Sequence, residues 1–245
     1  ETAPTRMTTA QIDASLTGSQ SPVRLAGLEV VNLRKSYPGH KGPGKTLFKN
    51  LSFTLARDER LAVLGRNGQG KSTLIKILGG VLPADEGVIS WKMRPSWPIG
   101  FGGGFQGSLS GLDNIRFLSR LYDRDYAQLV ERVDDFAELG SALHQPVKHY
   151  SSGMRARLAF GLSIAIEFDC YMIDELISVG DARFAEKCQK ELFAERNDRA
   201  FIMASHDMSA VKSVCHRALI VESGQAKFFD DVDEAIDVYT WLHAP

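Results

Sequence analysis

One stretch restricts the fold of this chain more than any other: Gly65-Arg66-Asn67-Gly68-Gln69-Gly70-Lys71-Ser72-Thr73. Before it, Arg60–Leu64 reads as a short apolar strand that runs straight into the glycines. After it, residues 72–78 read as a helix closed by Gly79-Gly80. The chain must pass from strand to helix through a loop nearly bare of side chains, which points to an α/β core. The loop also fits the pattern G-x-x-x-x-G-K-[ST]. Its glycines let backbone N–H groups converge on phosphate oxygens without Cβ clashes, and the helix behind presents its positive end to them. Lys71 can reach the β- and γ-phosphates of a nucleoside triphosphate, and the Ser72 hydroxyl can bind Mg²⁺. Gly65, Asn67, Gly68, Gly70, Lys71, Ser72 and Thr73 are therefore candidate nucleotide contacts.

A second constellation lies far downstream. Tyr150-Ser151-Ser152-Gly153-Met154 precedes an apolar helix and then a buried strand, Cys170-Tyr171-Met172-Ile173, which ends in Asp174-Glu175. A carboxylate at such a strand end can hold the hydration shell of Mg²⁺, which makes Asp174 a second candidate metal residue. Glu175 can polarise an attacking water. A serine at a helix start caps free N–H groups, and the helix dipole there favours an anion. Taken singly, the strand end is also an ordinary acidic turn and the serine an ordinary cap; the phosphate loop selects the catalytic reading. No other arrangement of His or Cys suggests a metal site.

Around these motifs the chain reads as strands at 28–33, 51–55, 88–91, 200–204 and 218–221, with a breaker-rich loop from Pro38 to Gly44. From about residue 111 to 143 the period turns helical, with Ile115, Leu118, Leu121 and Tyr122 on one side and Leu129, Val133, Phe136 and Leu139 on another. Residues 98–107, rich in Gly and Phe, are irregular. The 245 residues are 44% hydrophobic, ample for a buried core. A net charge of −1 gives no overall basic footprint for nucleic acid or an anionic membrane surface. Cys170, Cys188 and Cys215 form no C-x-x-C pair and fit a reduced, cytosolic protein. No apolar run approaches the ~18 residues that cross a bilayer. Residues 1–24 carry no apolar signal-peptide core and are expected to be a disordered tail.

Together these residues resemble the nucleotide-binding subunit of ATP-binding-cassette (ABC) transporters, over about Leu25 to Asp230. The family signature L-S-G-G-Q is followed by an arginine and then by the Walker B aspartate, and here Tyr150, Arg157 and Asp174 hold those positions without a gap. Ser151 and Gly153 match the phosphate-contacting Ser and second Gly, while Ser152 and Met154 depart from Gly and Gln. The resemblance places Tyr37 where an aromatic stacks on adenine, Gln106 in the Q-loop that reaches Mg²⁺ and senses the transmembrane partner, Asp181 in the D-loop, and His206 as the switch histidine on the γ-phosphate. Leu176 replaces the usual Pro after Glu175, and the stretch between Gln106 and Asp113 is shorter than in most members. The implied fold is an α/β phosphate-loop (RecA-like) core sheet with an antiparallel β subdomain and an inserted α-helical subdomain. On this pattern the nucleotide-binding domain spans 25–245, with the helical subdomain at about 107–160 and a C-terminal helix at about 231–242. Two copies are implied to sandwich two Mg·ATP, with Tyr37, Lys71, Ser72, Asp174, Glu175 and His206 of one facing Ser151 and Gly153 of the other.

Gly102-Gly103-Gly104-Phe105-Gln106-Gly107-Ser108-Leu109, with the signature variant, looks like the exporters of bacterial surface polysaccharides, the capsule branch above all. After Phe229 sixteen residues remain, short of the ~100 of a sugar-binding sandwich, and Val232, Ala235, Ile236, Tyr239 and Leu242 give them a helical pattern. The resemblance implies an ATPase on the cytoplasmic face of the inner membrane, bound to a multi-span permease that moves a lipid-linked polysaccharide, with possible periplasmic export partners. Residues 99–112, with Phe101, Phe105 and Leu109, are expected to help line the groove for the permease, or else to fill the subdomain boundary. Teichoic-acid or O-antigen export is the alternative cargo. A soluble ABC ATPase acting on nucleic acid or ribosomes is the distant one, disfavoured by a single cassette, the absence of zinc cysteines and the near-neutral charge.

Overall fold

The fold is organised about β3 (Arg60–Leu64), whose five residues are all buried. In the computed structural model, which describes residues 25–39, 44–99, 105–174 and 182–243, this strand sits inside a six-stranded sheet. β7 (Ala200–Ala204) and β8 (Arg217–Glu222) flank it in parallel. β6 (Cys170–Asp174) pairs with β7, and β5 (Pro95–Ile99) closes that edge. β9 (Gln225–Phe229) runs antiparallel to β8 at the other edge. Successive side chains of a strand point to opposite faces. Ala62 and Leu64 accordingly enter one core cluster, and Leu61 and Val63 the other. Burial on both faces is why these strands read as unbroken apolar runs.

On one face, α1 (Lys71–Leu78) buries Leu74, Ile75, Ile77 and Leu78. Above it lies a three-stranded antiparallel sheet of β2 (Lys45–Ala56), β1 (Ala26–Tyr37) and β4 (Glu86–Trp91), in that order. The Trp91 indole N–H donates to the Leu78 carbonyl at 3.1 Å, satisfying a group the end of α1 leaves open. Between β5 and β6 the chain leaves the sheet to form α2 (Gly111–Leu121), α3 (Tyr126–Ala137) and α4 (Ser152–Ile166). Ser110, Asp125 and Ser151 cap the three helices by accepting N–H groups of the first turn. The Phe136 and Phe160 rings stack at 5.5 Å and join α3 to α4. α5 (Ala182–Gln189), α6 (Met208–Val214) and α7 (Val232–Leu242) complete the helices. This is a phosphate-loop α/β core with an antiparallel β subdomain and an inserted helical one.

Several local expectations change. Leu121 is 61% exposed and Leu242 48%, so neither joins the apolar face its spacing suggested; both stand at the last residue of a helix, where the packed stripe runs out. β5 hides in the sequence because it carries Pro95 and Pro98, which an edge strand tolerates. β9 is half polar and is set by a tight turn with positive φ at Ser223 and Gly224.

Candidate functional site

β3 delivers the chain into the glycine loop, and the backbone there admits no substitute for glycine. Gly65 has φ 153°, and a Cβ on it would lie 2.4 Å from the Val221 carbonyl oxygen of β8. The loop turns against its neighbouring strand, and a side chain would force the two apart. Gln69 fastens the loop to the β8–β9 turn. It accepts the Ser223 N–H and donates to Glu222, both at 3.1 Å. On the other flank, Lys45 donates to the Gly68 carbonyl at 2.8 Å. Lys71 is buried, and its ammonium donates to the carbonyls of Gly65 at 2.6 Å and Arg66 at 3.2 Å.

The two halves of the sequence meet at Ser72 and Asp174. The Ser72 hydroxyl donates to Asp174 Oδ1 at 2.7 Å across 102 residues of chain. A hydroxyl and a carboxylate in contact form a pair of hard oxygen donors. That suits Mg²⁺, which keeps several waters and takes one or two protein oxygens beside phosphate. A cleft of about 270 Å³ contains both, together with Asn67, Gly68, Gly70, Lys71, Thr73, Tyr37 and His206. Lys45 and Leu47 also line it. Two wider depressions, of about 480 and 750 Å³, lie around Glu138, the first of them between the helical subdomain and α5. They hold none of these groups, and convergent chemistry rather than volume identifies the smaller cleft.

Tyr37 ends β1 at the cleft, 42% exposed, so that a ring face is available to stack on a base. His206 follows β7 in a short turn before α6. Asp207 beside it caps α6. Hydrogen bonds from the Ser209 hydroxyl, then the Ala210 N–H, hold its carboxyl below the usual range.

Ser151 and Gly153 stand apart from this cleft, at the start of α4. The Ser151 hydroxyl accepts the Met154 N–H at 3.2 Å. Gly153 is helical, and a Cβ on it would meet nothing nearer than 3.9 Å, that neighbour being Ser151 Oγ. Packing within the chain does not require glycine there. Tyr150 turns inward: its hydroxyl donates to the Ala142 carbonyl at 2.6 Å, and burial pushes its phenol up. The guanidinium of Arg157 lies 4.6 Å from the centre of the Phe184 ring.

Gln106 also lies outside the cleft and is exposed; Asn114 clamps its backbone, accepting its N–H at 2.9 Å and donating to its carbonyl at 3.2 Å. In the glycine-rich segment, Ile99 is buried and Phe105 packs on the helical-side core, while Leu109 is 40% exposed. Glu175, Asp181 and Phe101 fall outside the described residues. Sequence reasoning missed Lys45 and the Gln69 clamp. Lys45 carries no motif spacing; only the pairing of β1 with β2 sets it opposite Tyr37.

The model of the ABC transporter family matches residues 48–178. The ATP-binding protein BexA of Haemophilus influenzae is 51% identical over 86% of this chain and 97% of its own length. The capsule polysaccharide export ATP-binding protein CtrD of Neisseria meningitidis is 48% identical over 88% of this chain and 99% of its own. The polysialic acid transport ATP-binding protein KpsT of Escherichia coli is 44% identical, over 86% and 98%. A solved ATP-binding subunit of an ABC transporter superposes with a TM-score of 0.70 at 20% identity, over 87% of this chain and 99% of that one. A dimeric ATP-binding cassette in a post-hydrolysis state with ADP and Pi gives 0.68 at 16%, over 82% and 97%. These structural likenesses speak for the fold, and the sequence identities for the lineage. The chain belongs to the ABC transporter family of ATP-binding subunits, on its polysaccharide-export branch.

Proposed function

We propose that this chain is the ATP-hydrolysing subunit of an exporter that moves a lipid-linked capsular polysaccharide across the bacterial inner membrane. The observation that carries the cargo is near-half identity, over almost their whole lengths, to proteins named for capsule polysaccharide export and polysialic acid transport. The chemistry is supported by the cleft that unites Lys71, Ser72, Asp174 and His206.

In this reading Tyr37 stacks on adenine, and the N–H groups from Asn67 to Thr73 hold the phosphates. Lys71 exchanges its loop carbonyls for β- and γ-oxygens. Ser72 and Asp174 would hold Mg²⁺, which would supply charge neutralisation at the phosphates. Glu175 takes a proton from the attacking water, and His206 steadies the γ-phosphate. Gly153 and Ser151 of a second copy complete the site, with Asp181 at the junction; the open space over Gly153 supports that approach. Gln106, outside the cleft and tied through Asn114 to α2, stands at the start of the helical subdomain, the side that would meet a permease. No helix among the described residues is long and apolar enough to cross a membrane. In this reading the chain works on the cytoplasmic face of the inner membrane, bound to a membrane-spanning permease, with periplasmic export partners beyond it.

The test uses the Glu175→Gln chain, tagged and expressed in its own cell. Membranes are solubilised in mild detergent with Mg·ATP. A multi-span membrane protein should copurify in equal stoichiometry. Recovery with ribosomes or nucleic acid, and no membrane protein, would overturn the exporter reading.

A further inference from the structure

Lys45 begins β2 and has no part in the phosphate-loop pattern, yet it lines the same cleft as Lys71, Ser72 and Asp174. Strand register sets it directly opposite Tyr37. Its ammonium reaches the loop itself, 2.8 Å from the Gly68 carbonyl. The charge thus lies between the ring that would take the base and the loop that would take the phosphates. An ammonium has three donors, of which Gly68 uses one. Among the described residues Lys45 makes no ion pair with a carboxylate, whereas Lys35, Lys187 and Lys212 each do. An uncompensated cation on the wall of an anion-binding cleft raises affinity for anions.

We propose that Lys45 is a second phosphate-binding lysine, whose ammonium contacts the polyphosphate of a nucleoside di- or triphosphate from the β2 side. The proposal rests on the nucleotide reading of the cleft. Its rival is purely mechanical, with Lys45 only pinning the Gly68 carbonyl.

Calorimetric titration of the whole chain with ATP, ADP and AMP, at low and high salt, separates them. The variants are Lys45→Met, Lys45→Arg and, as a control, Lys71→Ala. Lys45 is exposed, and its variants should keep the native melting curve. Lys45→Met should weaken ATP and ADP by about tenfold, the size of one charge-assisted hydrogen bond. AMP should suffer less, the salt dependence of ATP binding should become shallower, and Lys45→Arg should retain most of the affinity. Unchanged ATP binding by Lys45→Met would overturn the proposal. So would an equal loss for all three nucleotides with the salt slope unaltered, since that is the mechanical role. Should Lys71→Ala bind ATP like the unmodified chain, the nucleotide reading itself fails, and the proposal with it.

Discussion

Gly153→Ala should stabilise the isolated chain while disabling it. Gly153 is the second residue of α4, its φ is not positive, and an added Cβ meets nothing within 3.9 Å. Alanine is a better helix former than glycine by about 0.8–1 kcal/mol in a helix interior and less in a first turn. It also narrows the unfolded ensemble. A gain of about 0.5–1 kcal/mol follows, which for a chain of this size raises the melting temperature by roughly 1–4 °C. The same methyl stands on the surface that a second copy's γ-phosphate would approach. Displacing a reacting group by about 1 Å costs on the order of a hundredfold in rate. Thermal melting by circular dichroism and steady-state ATP hydrolysis, measured on one preparation, should move in opposite directions. A lowered melting temperature would refute the helical reading of Gly153. A stabilised variant with unchanged hydrolysis would refute the close approach of a partner.

Tyr150→Phe should destabilise the chain by about 1 kcal/mol in urea unfolding, because it strands the Ala142 carbonyl that the hydroxyl now satisfies; no loss would mean that carbonyl finds another donor. The thiols should be inert while the chain is folded. Burial pushes Cys188 and Cys215 up to about 12 and Cys170 higher still. At pH 8 a pKa of about 12 leaves about one thiol in ten thousand as thiolate. Ellman's reagent should therefore count its three cysteines only after denaturant is added, and a fast native reaction would place one of them at the surface. Glu175→Gln should form an ATP-dependent dimer on size exclusion with hydrolysis abolished; a monomer in ATP would contradict shared sites.

What the sequence showed depended on the range of the physics. The phosphate loop was legible because steric demand writes glycine into the chain, as at Gly65 against Val221. The buried strands were legible because both faces are covered. β5 was not, since its prolines argue against a strand until its edge position is known. Asp174 was found by its place at a strand end, but its contact with Ser72 depends on the parallel sheet that folds 102 residues back. Lys45 and the Gln69 clamp depend wholly on strand pairing and carry no local signal. Tyr150 departs from the family's leucine, and its hydrogen bond to Ala142 shows how a polar tip is kept in an apolar place.

The most direct test of the account replaces the native gene by one encoding Lys71→Ala and follows the cell's surface polysaccharide. The account predicts loss of the surface polymer, with the lipid-linked polymer accumulating inside the inner membrane. A cell that keeps its surface polysaccharide, with no internal accumulation, would contradict it.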